Sequence, residues 1–235
     1  MKHLNKIALV TGANRGIGFA IAKGLLQKGL TVIATSRSET NSKTSIEQLS
    51  LYGDLRYCQL DVTRLESIHA CVDFVDTEFG KLDVLINNAG INYDTWHNAL
   101  NANLEEVRNT FDTNMYGPWQ SIQALLPLLQ KSDHGANIVN VSSGAGALDA
   151  QTGGTPGYSL SKLALNGLTL QLANQLQSYN IRVNAVCPGW VRTDMGGSGA
   201  TKSPEEGADT IIWTALFDSH GPTGKFFRNR TEIAY

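Results

Sequence analysis

Tyr158 and Lys162 stand four residues apart, a spacing that on a helix sets both side chains on one face. A phenol has an ordinary pKa near ~10 and is a poor base at neutral pH. A nearby ammonium favours the phenolate, and moving the pKa by about 3 units takes about 4 kcal/mol of differential interaction. A charged lysine at close range in a partly dry cleft supplies energy of that order. Such a tyrosine protonates a carbonyl oxygen in one direction and takes the proton of an alcohol in the other. Upstream, Val141-Ser142-Ser143-Gly144 places two serines at the end of an apolar run. A serine hydroxyl there can donate to an oxygen on which negative charge develops. Taken alone, the tyrosine–lysine pair reads more readily as a half-buried tyrosine beside an exposed lysine. A second signal is needed.

That signal is Thr11-Gly12-Ala13-Asn14-Arg15-Gly16-Ile17-Gly18. Glycines let the backbone turn tightly and approach a pyrophosphate. The helix that follows offers unpaired N–H groups and the positive end of its dipole. A lone glycine triplet says little; this one lies after a strand, before a helix and within a βαβ unit. The second strand then ends Thr35-Ser36-Arg37, with no acid where one would hold the ribose of NAD. Glu39 comes later and caps or starts the next helix. Arg15 and Arg37 suit a 2′-phosphate, because the guanidinium fork donates paired hydrogen bonds. Either arginine alone also reads as a solvated surface charge.

The elements that must hold these residues alternate regularly. Short β-rich runs at 7–11, 31–36, 55–60, 84–87, 137–142 and 181–187 precede amphipathic stretches at 17–28, 64–79, 103–130, 157–178 and 204–217. A short final strand is expected at 225–227. The alternation argues for βαβ units, a parallel sheet and one domain over residues 1–235. The 103–130 stretch is interrupted near Pro118. Glycine- and proline-rich punctuation falls at 88–102, 144–157 and 188–203, after strands four, five and six. Ligands of open α/β sheets sit outside those strand ends.

Composition narrows the function classes. A net charge of -2 without a basic run argues against nucleic acid. Cys58, Cys71 and Cys187 are far apart and read as reduced thiols, and the histidines show no metal spacing. No apolar run has the length of a signal core or a membrane span, so a cytoplasmic enzyme is expected.

Four motifs now lie in register: TGANRGIG at 11–18, NNAG at 87–90, Tyr158-Ser-Leu-Ser-Lys162 and PGWVRT at 188–193. Together, and over nearly the whole chain, they resemble the short-chain dehydrogenase/reductase family. PGWVRTDM followed by ATKSPEEGA, and the ending GPTGKFF, look most like its carbonyl reductase branch. The resemblance implies a Rossmann-type doubly wound parallel sheet of about seven strands with helices on both faces. It also implies hydride transfer between NADP(H) and a carbonyl or secondary alcohol.

Carried onto this sequence, the family pattern implies that Gly12, Asn14, Arg15, Gly16, Ile17 and Gly18 hold the pyrophosphate side of the cofactor. It places Arg15 and Arg37 at the 2′-phosphate and Asp61 and Val62 at the adenine. Asp61 also reads as a helix cap. Asn88, Ala89 and Gly90 line the ribose, and Pro188, Gly189, Val191 and Thr193 lie beneath the nicotinamide. The pattern selects Ser143 over Ser142, although the 15 residues from Ser143 to Tyr158 depart from the family's shorter members and lack the long insertion of the animal carbonyl reductases. It also implies that the backbone carbonyl of Asn114 holds a water on Lys162. A physical reason stands beside this: Pro118 has no N–H for the Asn114 carbonyl, which then needs another donor.

Ile91, Tyr93, Trp96, Leu148, Trp190 and Met195 are candidate substrate walls. A 3-oxoacyl-carrier-protein reductase or a hydroxysteroid dehydrogenase is the rival within enzymes. A non-catalytic NADP-sensing protein is the rival outside them. Surplus apolar stripes on 103–130 and 157–178 suggest a homodimer or homotetramer built on those two helices. Burial within one subunit is the alternative.

Overall fold

The computed structural model describes residues 6–235. Strands β1 (Ile7–Val10), β4 (Val84–Asn87), β5 (Ala136–Val141) and β6 (Ile181–Val186) are buried along their whole length. Their near-continuous apolar, β-branched sequences fit parallel strands covered on both faces. With β2 (Thr31–Ser36), β3 (Leu55–Gln59), β7 (Phe226–Arg228) and β8 (Thr231–Ile233) they form one sheet, ordered β3-β2-β1-β4-β5-β6-β7-β8. All pairings are parallel except β7–β8. The strand order reverses between β1 and β4, which opens a crevice at their carboxyl ends.

Helices α1 (Gly16–Gln27), α2 (Lys43–Ser50) and α7 (Pro204–Ala215) belong to one face of the sheet. Their core includes Val10, Ile21, Leu25, Leu49, Ile86 and Ile211. Helices α3 (Leu65–Phe79), α5 (Gly117–Leu129) and α6 (Pro156–Leu176) take the other face, around Leu9, Val75, Leu85, Ile122, Leu165 and Leu172. Helix α4 (Leu104–Phe111) leads into α5.

The sheet has eight strands rather than about seven. The extra one is the return arm of a hairpin whose loop residues, Asn229 and Arg230, have φ of 51° and 59°. Two consecutive left-handed residues make the tight turn that matches strand twist. Asn-Arg lacks the glycine that usually announces such a turn, so the hairpin was not evident from sequence. The stretch after Glu39 forms a short 3-10 turn at Thr40–Ser42 before α2. The break in 103–130 is wider than a proline kink: Asp112–Tyr116 form one π turn, and the Gly117 amide reaches back to the Asp112 carbonyl. Gly117 is needed there, since a Cβ would fall 2.8 Å from Val62 Cγ2.

Candidate active site

The glycine loop folds as a cradle. Gly12 and Gly16 have φ of +66° and +56°, a region that side chains disfavour. A Cβ at Gly18 would collide with the Gly12 carbonyl oxygen and the Asn88 amide. The loop is tied to the end of β4: Thr11 Oγ1 accepts the amides of Asn88 and Ala89, both at 2.9 Å. Asn88 Nδ2 donates to the Thr11 carbonyl at 2.9 Å. Asn87 Nδ2 donates to Asn140 Oδ1 on β5 at 2.8 Å, so the two asparagines bind neighbouring strand ends together.

A cleft of about 420 Å³ opens above these strand ends. Its wall carries Gly12, Asn14, Arg15, Gly16, Ile17, Gly18, Arg37, Asp61, Val62, Asn88, Ala89, Gly90, Pro188 and Thr193, with Tyr158 and Lys162 among them. An elongated phosphate-bearing cofactor fits this wall, which joins close-approach glycines and the start of α1 to two arginines. Four of the expected catalytic and cofactor residues lie off it, Asn114, Ser143, Gly189 and Val191, and Ser142 lines it where Ser143 does not. Val191 is buried with its Cγ2 against Gly207, and Gly189 packs on the Lys202 side chain. Ser36, Thr63, Thr113, Arg192 and Asp194 line the cleft without having been singled out in the sequence. Arg15 is not a free cation: its Nη1 donates to Asp194 Oδ2 at 2.5 Å, joining the glycine loop to the 188–203 loop. Both side chains are largely exposed, so the pair is weak and easily exchanged for another anion.

Tyr158 lies in the first turn of α6. Thr155, the N-cap, has φ of 46° and gives no side-chain cap; instead Asp94 Oδ2, from the loop after β4, accepts the Gly157 amide at 2.6 Å. That carboxylate is buried and sits against the positive end of the helix that carries Tyr158 and Lys162. Capping from 63 residues away has no local sequence signal.

Lys162 is buried, donates from Nζ to the Val141 carbonyl at 2.8 Å, and stands 5.8 Å from the Tyr158 ring centre. A Cβ on Gly90 would lie 3.3 Å from Asn114 Oδ1 and 3.5 Å from Lys162 Nζ, so these three residues meet. The Asn114 side chain is fully committed: Oδ1 accepts the Ile91 amide, and Nδ2 donates to the Ile91 carbonyl and Ser161 Oγ. Ser142 is buried, with its hydroxyl against the Lys162 carbonyl, whereas Ser143 is half-buried and stands beside the phenol.

The electrostatics differ from the expectation of a depressed tyrosine. Burial raises the Tyr158 pKa, and the Ser143 hydroxyl pulls it down by less. Burial likewise takes Lys162 down to about 8. Desolvation disfavours both charged forms.

Among the substrate-wall candidates, Ile91 and Met195 lie on the cleft wall. Tyr93, Trp96 and Leu148 are exposed and stand away from it. Trp190 is also exposed and donates from Nε1 to the Gly196 carbonyl at 2.8 Å, bracing its own loop. Cys187 is buried.

Residues 6–203 match the family model described as short chain dehydrogenase. The chain belongs to the short-chain dehydrogenase family. Carbonyl reductase (NADPH) 1 of Mus musculus is 36% identical over 98% of this chain and 98% of its own. That alignment runs over 277 positions against 235 residues here, so the mouse relative carries segments absent from this family member. The (+)-neomenthol dehydrogenase of Arabidopsis thaliana is 34% identical over 96% of each chain. The NADPH-bound carbonyl reductase from chicken fatty liver superposes with a TM-score of 0.89 at 30% identity, covering 99% of this chain and 100% of that one.

Proposed function

We propose that the protein is an NADPH-dependent carbonyl reductase. The observation that carries this reading is the meeting of Tyr158 with Ser143 and Lys162 beside a cleft whose wall also carries Arg15 and Arg37. NADPH, when bound, supplies the hydride. The glycine cradle holds its pyrophosphate, Arg15 and Arg37 its 2′-phosphate, and Asp61 and Val62 flank its adenine. Asn88, Ala89 and Gly90 support its ribose. Pro188 and Thr193 position the nicotinamide end, with Gly189 and Val191 shaping their loop from behind.

Ser143 orients the substrate oxygen and donates to it as charge develops. Tyr158 gives that oxygen its proton, which its raised pKa keeps in place at neutral pH. Lys162 holds charge near the phenol. The committed Asn114 side chain leaves its backbone carbonyl to anchor a water on Lys162. Ile91 and Met195 border the substrate.

Full-length likeness to carbonyl reductases favours this reading over a carrier-protein reductase or hydroxysteroid dehydrogenase. The assembled catalytic set favours it over a sensor, which needs no proton donor. NADPH oxidation at 340 nm with a panel of ketones, aldehydes and quinones tests it, and no turnover of any would overturn it. Ser143→Ala should cost on the order of 10²-fold in kcat. Ser142→Ala should cost less, because its hydroxyl faces the α6 backbone. The reverse ranking would assign the donor to the other serine.

Among the described residues no helix is long and apolar enough to cross a membrane. A cytoplasmic protein made of one domain fits the sequence reading. The chain is further read as a homodimer or homotetramer through 103–130 and 157–178. Much of the apolar surplus on α5 is taken by its own core, at Ile122, Leu125, Leu128 and Leu129. Tyr116, Trp119, Leu160 and Leu170 remain exposed on these helices and supply the pairing surface. Light scattering at micromolar concentration should give two or four times the 25.4 kDa chain mass. A fully active particle of one chain would remove the interface.

A further inference from the structure

We propose that Arg228 reads the substrate: its guanidinium, seated beside Ser143 and Gly144 at the end of β7, selects carbonyl compounds that carry a carboxylate close to the reacting carbonyl. This rests on the carbonyl reductase reading and narrows its substrate class.

The placement follows from register. Val186 on β6 pairs with Phe227, and the Cys187 amide donates to the Phe227 carbonyl, so Arg228 ends β7 beside Cys187. Side chains alternate along a strand. Phe227 packs with the core beneath α1 and α7, while Phe226 packs with Ala185 and Cys187 on the opposite face. Arg228 shares the Phe226 face, and its Nε lies 3.3 Å from Cys187 Sγ. The guanidinium fills the space of an absent side chain, since a Cβ at Gly144 would collide with Arg228 Nη2. Gly144 directly follows Ser143. The guanidinium therefore lies between Cys187 at the end of β6 and the loop that begins at Ser143.

Among the described residues the charge of Arg228 is uncompensated. The same hairpin carries two other cations, and each has a carboxylate: Lys225 pairs with Glu232, and Arg230 with Asp209. Among the described residues Arg228 forms no ion pair, and its side-chain hydrogen bond goes to a thiol, a weak acceptor. A half-buried guanidinium with most of its donors unused fits a planar carboxylate, which it can grip with two parallel hydrogen bonds. The rival role is a strut that merely holds the Ser143 loop. A strut would affect every substrate alike, whereas a reader affects charged ones selectively.

Benzoylformate and ethyl benzoylformate share a reacting ketone and differ in the charge beside it. The ratio of their kcat/KM values is the readout. Wild type should favour the acid, and Arg228→Leu should lower the acid-to-ester ratio by on the order of 10- to 100-fold. Arg228→Gln, of similar length, should lower it as well, and Arg228→Lys should retain part of it. An unchanged ratio in the neutral variants would overturn the assignment, even if both rates fell. Binding of the two compounds to the enzyme–NADP+ complex, followed by tryptophan fluorescence, reads the contact without turnover. If neither compound were reduced, the carbonyl reductase reading would suffer. Tighter binding of the acid, lost in Arg228→Leu, would still support the contact, and equal binding would remove it.

Discussion

Tyr158→Phe should lower NADPH-driven carbonyl reduction by on the order of 10²- to 10⁴-fold, with NADPH affinity held within a few-fold. The substitution keeps the ring that lines the cleft and deletes only the group that can give a proton. The Ser143 hydroxyl remains, but it sits near its own loop and accepts the Ala145 amide at 3.2 Å. It polarises the oxygen without replacing the donor. The pH profile follows from the same geometry. Reduction needs the protonated phenol, and burial raises its pKa. Lys162 is held down to about 8, so its charge is lost as pH rises through that value. Both changes act in one direction: reduction should be level through neutral pH and fall on the alkaline side. Alcohol oxidation, which needs the phenolate, should gain as the phenol ionises. Steady-state rates across pH and fluorescence titration with NADPH measure the two halves. A variant that kept a tenth of the wild-type rate would mean that the proton arrives by another route.

The parts of this molecule that were legible from sequence are those with local causes. The buried strands announce themselves as apolar β-branched runs, and the turn at residues 11–18 needs its glycines for φ and for close approach. Tyr158 and Lys162 share a helix face because of their spacing alone. What stayed hidden depends on residues distant in sequence. Asp94 caps α6 from across the fold, and Asp194 reaches Arg15 from another loop. The β7–β8 hairpin turns on Asn229 and Arg230, which carry no glycine. The direction of the Tyr158 shift was also hidden. Spacing shows that a cation is near, but the depth of burial decides between desolvation and attraction. How the apolar surplus on α5 divides also depends on the fold, since Ile122, Leu125, Leu128 and Leu129 meet the core while Trp119 stays exposed. The substrate-wall candidates show the limit most clearly. Ile91 and Met195 reach the cleft, while Tyr93, Trp96 and Leu148 on neighbouring loops do not.

NADPH should be preferred over NADH in kcat/KM by on the order of 10²-fold, and Arg37→Asp should narrow or reverse that preference. The second strand ends at Ser36 without an acid to accept from a ribose hydroxyl. The Ser36 hydroxyl is itself occupied, lying 2.5 Å from Ser42 Oγ and 3.0 Å from Tyr57. An unphosphorylated ribose therefore gains little at this end of the cleft. In the proposed reading a 2′-phosphate would meet the guanidinium groups of Arg15 and Arg37 instead. Arg37 is exposed on the cleft wall, so its side chain can turn toward the phosphate at small cost. Arg15 must first leave Asp194, but an exposed ion pair is worth only about 0–1 kcal/mol. A charge-assisted hydrogen bond to phosphate is worth about 1.5–3 kcal/mol, so the exchange favours the cofactor. Aspartate at position 37 would repel the phosphate and offer the missing acceptor to a ribose hydroxyl. Steady-state kinetics with both cofactors, on wild type and Arg37→Asp, measure the change. Equal use of NADPH and NADH by the wild type would take the 2′-phosphate away from Arg15 and Arg37.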